Sequence, residues 1–149
     1  MEISTIESAK LSASACGKGG EEMRIIILDM QSKLMASALE RVLRQEMKDC
    51  TPIISDGPDS TAEQCRLFKP YALFMEVTGY TPWMLEERLK ICENVRRSLP
   101  ACKFVFSVDE NADPRLADRV TQCKKDGRID AFIYNSTSER YLAAILDSL

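Results

Sequence analysis

Short continuous apolar runs alternate along the chain with longer segments whose apolar residues recur every three or four positions. The first run, from Met23 to Asp29, is β-branched and aliphatic and stops at a carboxylate, which is typical of a parallel strand buried on both faces. Four later runs have a similar character. We therefore predict five strands, at residues 23–29, 52–55, 71–75, 103–106 and 131–134.

The segments that follow the strands have the spacing of amphipathic helices, and each begins near a residue that commonly caps a helix. Lys69-Pro70 is expected to end the second helix, and Gly127 the fourth. Strands that alternate with helices through short connections predict an α/β domain, with a doubly wound parallel sheet and helices on both faces. The expected caps are Ser32, Ser60 (which opens a capping box with Glu63), Thr81 (followed by Pro82), Asp113 and Ser138.

Composition and charge exclude several classes of protein. The 149 residues are 45% hydrophobic and 29% charged, as in one ordinary globular domain, and the net charge is -3. Such a chain lacks the surplus of Lys and Arg that binding to nucleic-acid phosphates requires. No apolar run approaches the length of a membrane span, and the N-terminus lacks the layout of a secretory signal. We therefore expect a cytoplasmic protein that binds neither nucleic acid by itself nor a membrane.

The cysteines are scattered without a close pair, and the chain has no histidine. This pattern gives little support for zinc ligation. We predict reduced thiols that pack mostly as small apolar core residues. The six are Cys16, Cys50, Cys65, Cys92, Cys102 and Cys123.

The segment before the first strand is rich in Ser, Ala, Gly and Lys, and we predict a disordered leader over residues 1–22. Two alternatives are a short amphipathic helix through Ile3, Ile6 and Leu11, and an upstream start codon that precedes a natural start at Met23. The predicted folded domain spans residues 23–149.

Several landmarks in this pattern resemble the receiver domain of two-component response regulators. They are Lys69-Pro70 before the third strand, Ser107 after the fourth, Asp130-Ala131-Phe132 leading into the fifth, and Ser138-Glu139 opening the last helix. The resemblance covers residues 23–149. It implies a flavodoxin-like (βα)5 fold with a five-stranded parallel sheet.

The resemblance also implies a site at the carboxyl edge of the sheet, where ligands of open α/β sheets bind. In the family an acidic pair holds magnesium, an Asp accepts phosphate, a hydroxyl and an aromatic residue form the switch, and a Lys neutralises the phosphoryl group. In this chain the acidic pair becomes Asp29 and Met30, the acceptor Glu76, the switch Ser107 and Phe132, and the lysine Asn135.

Three of these positions are altered in ways that disfavour phosphoryl transfer. The thioether of Met30 is a poor ligand for Mg²⁺, so we expect no cofactor and regard Asp29 alone as a weak metal candidate. Glu76 carries its carboxylate one methylene further out, a misplacement that can cost on the order of a hundredfold in rate. Asn135 has no charge with which to offset the developing phosphoryl charge.

We consider the hypothesis that Asp29 and Glu76 face each other with neither a metal nor a lysine between them. Like charges that converge disfavour double ionisation, so we expect one carboxyl to be protonated or neutralised by an outside cation. Taken singly, these residues also fit ordinary roles as solvated carboxylates, loop hydrogen-bonding groups or core. Their joint placement at one edge favours a site.

We predict that this degenerate receiver is not an enzyme and acts by phosphorylation-independent binding of a protein partner, either a signalling protein or a histidine kinase. The longer side chain of Glu76 would also partly mimic the phosphorylated state. The family's signalling face would comprise the helix at 114–125, the strand at 129–134 and the helix at 138–149. Tyr134 and Tyr141 are its candidate contacts, and a homodimer is one use of this face.

Two other functions stay open on the sequence. One is a phosphoacceptor receiver of a phosphorelay, with Asp29 or Asp109 standing in for the missing acceptor. The other is a flavodoxin-type small-ligand binder, which loop 30–33 disfavours because it offers little of the Gly, Ser and Thr that cradle a phosphate. Response regulators commonly carry an output domain after the receiver, and both a stand-alone module and a fragment of a longer regulator fit this sequence.

Overall fold

The computed structural model describes residues 23–149, so the predicted leader and Cys16 lie outside the described residues. The strands are β1 (Arg24–Asp29), β2 (Cys50–Ile54), β3 (Ala72–Glu76), β4 (Lys103–Val108) and β5 (Ala131–Tyr134). They form one parallel sheet in the order β2-β1-β3-β4-β5, which confirms the predicted flavodoxin-like arrangement.

Helices cover both faces of the sheet and seal an apolar cluster on each. The second, third and fourth helices enclose a cluster around Ile27 and Phe104, and the first and last helices enclose one around Leu28 and Leu146. Because successive side chains of a strand point to opposite faces, neighbouring residues of β1 pack in different clusters. The helices are α1 (Lys33–Glu46), α2 (Pro58–Phe68), α3 (Leu85–Ser98), α4 (Pro114–Lys125) and α5 (Glu139–Asp147).

Three of the five predicted helix starts are confirmed. Ser32, Asp113 and Ser138 cap α1, α4 and α5, and each side chain accepts a hydrogen bond from a backbone N–H in the first turn. The predicted ends are also confirmed, because Lys69 follows α2 at φ 49° and Gly127 follows α4 at φ 76°. The left-handed backbone at both positions stops the helical hydrogen-bond pattern.

The other two starts are wrong. α2 begins at Pro58, two residues before the predicted cap Ser60, because proline at the first helical position already has a helical φ. α3 begins at Leu85 rather than at Pro82. There the Thr81 hydroxyl donates to the Glu87 carboxylate at 2.6 Å instead of capping a backbone N–H, so residues 81–84 remain a loop.

The cysteines within the described range are free and buried, as predicted. Burial is the main cause that raises the pKa of Cys50, Cys65 and Cys102, each to about 12. A thiol with so high a pKa holds almost no thiolate at neutral pH, and thiolate is the reactive form. These side chains therefore act as core residues.

No helix within residues 23–149 combines the length and the apolar composition needed to cross a membrane.

An ion-paired clasp joins β1 to α5 at the amino edge of the sheet. Arg24 donates to both carboxylate oxygens of Asp49, at 2.9 and 3.0 Å, and also pairs with Asp147 in α5. Its guanidinium lies 4.9 Å from the centroid of the Tyr71 ring. The Tyr71 hydroxyl donates to the carbonyl oxygen of Leu146 at 3.0 Å. The clasp therefore fastens the last helix to the sheet.

The clasp predicts a pH-dependent stability. The hydrogen bond from Arg24 lowers the pKa of Asp49. Because the folded pKa lies below the unfolded value of about 3.9, this bond stabilises the fold at neutral pH, and the contribution is lost as the pH falls through the folded pKa. We expect Arg24→Met to cost about 1 kcal/mol at pH 7 in urea denaturation, and the gap from the unsubstituted chain to shrink in acid.

Arg41→Met is the matched control, since Arg41 is exposed on α1 and no ion pair to it is found among residues 23–149. It should change stability little and by the same amount at every pH. A deficit of Arg24→Met that stays constant from pH 7 into acid would contradict the assigned role of Asp49.

Candidate functional site

The predicted site residues lie at the carboxyl edge of the sheet, but on two different faces. The register pairs Asp29 with Met75 and pairs Glu76 with Ser107. Directly paired residues share a face and successive residues alternate, so Glu76 and Ser107 project together while Asp29 projects to the opposite face. Met30, next to Asp29, packs with the cluster under α1 and α5. The prediction that Asp29 and Glu76 face each other is therefore wrong.

Asp29 is paired with a buried arginine that the sequence analysis missed. Arg88 of α3 is fully buried and Asp29 is 1% exposed. Nη1 of Arg88 donates to Oδ2 of Asp29 at 2.7 Å, and Nη2 donates to the carbonyl oxygen of Asp29 at 2.8 Å. Nε donates to the carbonyl oxygen of Glu76 at 2.8 Å. One guanidinium thus neutralises the carboxylate and ties the ends of β1 and β3 together.

This pair also corrects the expectation that a carboxyl must be protonated or neutralised from outside. The cation is internal, so Asp29 has its counter-charge without a ligand. Buried ion pairs persist where further hydrogen bonds satisfy the remaining polar atoms. Here Oδ2 of Asp29 also accepts from the Thr61 hydroxyl at 2.6 Å, and that hydroxyl lies 2.7 Å from the Ser55 hydroxyl.

The sequence carries a signal for Arg88. Residues 85, 89, 92 and 95 form the buried stripe of α3, and position 88 lies in the same stripe, three residues after Leu85. A charged residue in an apolar stripe requires a buried partner, because an unpaired buried charge is costly. Asp29, at the end of a buried strand, is the acidic residue placed to meet it.

Glu76 is held through both its side chain and its backbone carbonyl group. Oε1 of its carboxylate accepts the backbone N–H of Gln31 at 2.9 Å, while its own carbonyl oxygen accepts from Arg88. Asn135, at the predicted lysine position, is exposed, and its backbone N–H donates to the carbonyl oxygen of Val108. No basic side chain is found among the residues that line this part of the edge within the described chain.

Magnesium, which the resemblance implies, does not fit these donors. Met30 offers sulfur where an oxygen ligand is needed, and Asp29 is 1% exposed, with its Oδ2 accepting from both Arg88 and Thr61. Across residues 23–149, no three side chains of His, Cys, Asp or Glu form a group that could hold a metal ion. The geometry therefore gives no support to Asp29 as a metal ligand.

The two predicted switch residues have different surroundings. Ser107 is 4% exposed, and its hydroxyl has no hydrogen-bond partner among the described residues. Phe132 is partly buried and packs against Tyr134, with ring centroids 5.5 Å apart. A switching role for either residue stays a prediction.

The predicted interaction face presents exposed aromatic rings. Tyr141 of α5 is 62% exposed, and Tyr134 at the end of β5 is 36% exposed. Both line an open cavity of about 680 Å³ along the free edge of β5, together with Phe132 and Ile145. Aromatic residues beside an open groove are a common composition for a protein-binding surface.

Comparisons with known proteins rest on structure alone, since no protein-family model and no curated protein matches the chain. A response regulator from Thermotoga maritima superposes with a TM-score of 0.68 over 85% of this chain and 96% of that chain, at 13% identity. The chain has the fold of a receiver domain. A CheY-like protein (tadZ) from Pseudomonas aeruginosa PAO1 gives a TM-score of 0.64 at 11% identity, over 84% of this chain and 98% of that chain.

The receiver fold also occurs within a larger signalling protein. The signal receiver domain of a histidine kinase from Syntrophus aciditrophicus gives a TM-score of 0.64 at 17% identity, over 84% of this chain and 88% of that chain. At sequence identities this low, the structural similarity establishes the fold alone. In this chain Glu76 is paired with Ser107 across β3 and β4, and Glu76 and Asn135 line one cleft at the carboxyl edge.

Proposed function

We propose that this chain is a receiver-fold signalling module that works by binding a protein partner without being phosphorylated. The observation that carries the proposal is the buried pair between Asp29 and Arg88. A receiver needs a carboxylate that is free to bind magnesium, whereas the Asp29 carboxylate of this chain is already neutralised by Arg88. Phosphoryl transfer depends on a metal and a cation to offset developing charge, so this arrangement disfavours it.

Two further features support the proposal. Glu76 and Asn135 provide a displaced carboxylate and a neutral amide at the acceptor and lysine positions. The surface of α4, β5 and α5 keeps exposed aromatic residues that suit protein contacts, whether with a signalling protein, a histidine kinase or a second copy of the chain. Both features support a module that uses the partner-binding surface of a receiver and does not depend on a phosphoacceptor site.

The test is phosphorylation by a small donor. The chain is incubated with acetyl phosphate and Mg²⁺, and its intact mass is measured over time. We expect no phosphoryl adduct. An adduct that requires Mg²⁺ and that disappears in Glu76→Gln would establish the alternative, a working phosphoacceptor receiver.

A further inference from the structure

The free edge of β5 forms the floor of an open groove. β5 is the last strand of the sheet, and no strand of the described chain lies beyond it. The cavity of about 680 Å³ runs along this edge, and every residue from Asp130 to Tyr134 lines it. Because side chains of a strand alternate between two faces, five consecutive residues line one cavity where the backbone edge itself is open to it. We call this cavity the edge groove.

The hydrogen bonds of β4 show which backbone groups of β5 point into the edge groove. The carbonyl oxygen of Val108 accepts the N–H of Asn135 at 3.1 Å, so the backbone of Val108 points towards β5. In a parallel pair, such a residue bonds to the two residues that flank its partner, and the partner points its own backbone away. The register pairs Val108 with Tyr134 and Phe106 with Phe132. Tyr134 and Phe132 therefore point their backbone groups into the groove.

Three of these backbone groups are free. No turn or loop hydrogen bond to the N–H or carbonyl group of Phe132, or to the N–H of Tyr134, is found within residues 23–149. The carbonyl oxygen of Tyr134 accepts the N–H of Thr137 at 3.0 Å, which ends the free edge there. The edge thus offers a donor, an acceptor and a donor in a row, which is a template for another strand.

The opposite edge of the sheet differs. Pro52 lies at the centre of β2, the other outer strand, and proline has no backbone N–H to donate. Proline on an edge strand discourages the addition of a further strand. β5 contains no proline, so its edge stays open to pairing.

Aromatic and aliphatic side chains line the edge groove. The rings of Phe132 and Tyr134 lie against each other, and α5 contributes Tyr141 and Ile145. An added strand would alternate its side chains between the two faces of the sheet, so it would place apolar groups beside both sets of residues. The groove therefore favours an extended segment with apolar or aromatic side chains.

The amino end of the edge groove is basic. Lys103 begins β4 and Lys124 lies in the last turn of α4, and both line the groove. No ion pair to either lysine is found in the part of the chain that the structure describes. Asp130 is the one acidic lining side chain in that range, and its Oδ2 accepts the N–H of Phe104 at 2.8 Å. Charge complementarity therefore favours a segment with a carboxylate at this end.

We infer that the partner protein adds an extended segment to the edge of β5 and pairs its backbone with Phe132 and Tyr134. The segment carries a carboxylate that meets Lys103 and Lys124, next to apolar or aromatic side chains. A helix does not suit this edge, because its own backbone groups are already bonded to one another. The inference rests on the proposed function, since it names how the partner is bound.

The test uses the peptide acetyl-Glu-Val-Tyr-Val-Glu-amide, titrated to millimolar concentration into the 15N-labelled chain, with amide hydrogen exchange as the readout. The acid at each end serves either strand direction. At a peptide concentration about ten times the Kd, the amides of Phe132 and Tyr134 should exchange about tenfold more slowly, because they become paired. The amide of Ile133 points towards β4 and is the internal control, which should change little. No protection of Phe132 and Tyr134 would overturn the inference.

N-methylated peptides test whether the backbone is what binds. One peptide is methylated at the nitrogen of its tyrosine and a second at that of the following valine. Adjacent residues of a strand point their N–H groups to opposite sides, so one of these methyl groups blocks pairing and the other faces away. We expect the Kd of one peptide to rise at least about tenfold and that of the other to change little. Equal effects of the two methyl groups would reject strand addition.

Two matched variants test the charge. Lys124→Gln should weaken binding of the peptide about threefold and should leave binding of its glutamine analogue unchanged. Lys125→Gln removes the same charge from the same turn of α4, but Lys125 does not line the groove, so binding should stay as in the natural chain. Equal binding by the two variants would reject the acidic partner segment.

Two further measurements separate the inference from other outcomes. Protection of Phe132 and Tyr134 that rises with chain concentration, without peptide, would identify a second copy as the occupant and overturn the inference. The labelled chain is also titrated with Mg²⁺ and beryllofluoride, a mimic of the acyl phosphate. Beryllofluoride shifts around Glu76 and Ser107 would reject the proposed function itself. Absence of both these shifts and peptide binding would reject strand addition alone.

Discussion

Replacing Arg88 with methionine is expected to destabilise the domain by about 3–5 kcal/mol in urea denaturation, because it leaves the buried carboxylate of Asp29 without a counter-charge. Methionine retains most of the length of the side chain, so the loss reports charge and hydrogen bonding more than volume. The three hydrogen bonds that tie the ends of β1 and β3 are lost together.

Two companion variants make this result specific. Arg119→Met breaks an exposed pair with Glu86 and should cost less than about 1 kcal/mol. The double variant Asp29→Leu/Arg88→Met removes both charges and should be more stable than Arg88→Met alone, since well-packed apolar residues can replace a buried pair. A loss for Arg88→Met no larger than that for Arg119→Met would contradict the role assigned to the buried pair.

Restoring the family's residues should restore its chemistry. In the triple variant Met30→Asp/Glu76→Asp/Asn135→Lys, Asp29 stays paired with Arg88, and the oxygen ligands are supplied at positions 30 and 76 instead. The variant also places a shorter acceptor opposite Ser107 and a cation at position 135. We expect acetyl phosphate and Mg²⁺ to phosphorylate it at least about a hundredfold faster than the natural chain, because the acceptor oxygen is no longer misplaced. The measurement is the rate of appearance of the phosphoryl adduct by intact mass.

The double variant Glu76→Asp/Asn135→Lys keeps Met30 and is the control for the metal. It should stay unmodified, since the reaction still lacks a second oxygen ligand for Mg²⁺. If the triple variant folds and yet remains unphosphorylated, these three side chains do not account for the lost reactivity.

The fold could be predicted because its signals are local. The strands are centred on short apolar runs, and the caps Ser32, Asp113 and Ser138 lie where the helical spacing begins. Two helix starts could not be placed, because competing contacts decide them. Pro58 begins α2 ahead of Ser60, and Glu87 draws the Thr81 hydroxyl away from a capping role.

The edge of the sheet at which the candidate residues lie could be predicted, but their electrostatic surroundings could not. Asp29, Glu76 and Ser107 could be placed at the carboxyl edge because each lies at the end of an apolar run. The face of the sheet to which each side chain projects depends on the register between strands, which the apolar runs alone do not specify. The pairing of Asp29 with Arg88 joins residues 59 positions apart, so only their packing reveals it. The arginine within the apolar stripe of α3 was the available signal.

The most direct test of the central claim is binding of beryllofluoride in the presence of Mg²⁺, followed through backbone amide shifts of the natural chain. A receiver that works without phosphorylation should show no saturable shifts at Glu76, Ser107 and Asn135 at millimolar ligand, because Arg88 already neutralises Asp29 and Met30 offers no oxygen. Saturable, Mg²⁺-dependent shifts at those three residues would contradict the account and identify a working phosphoacceptor.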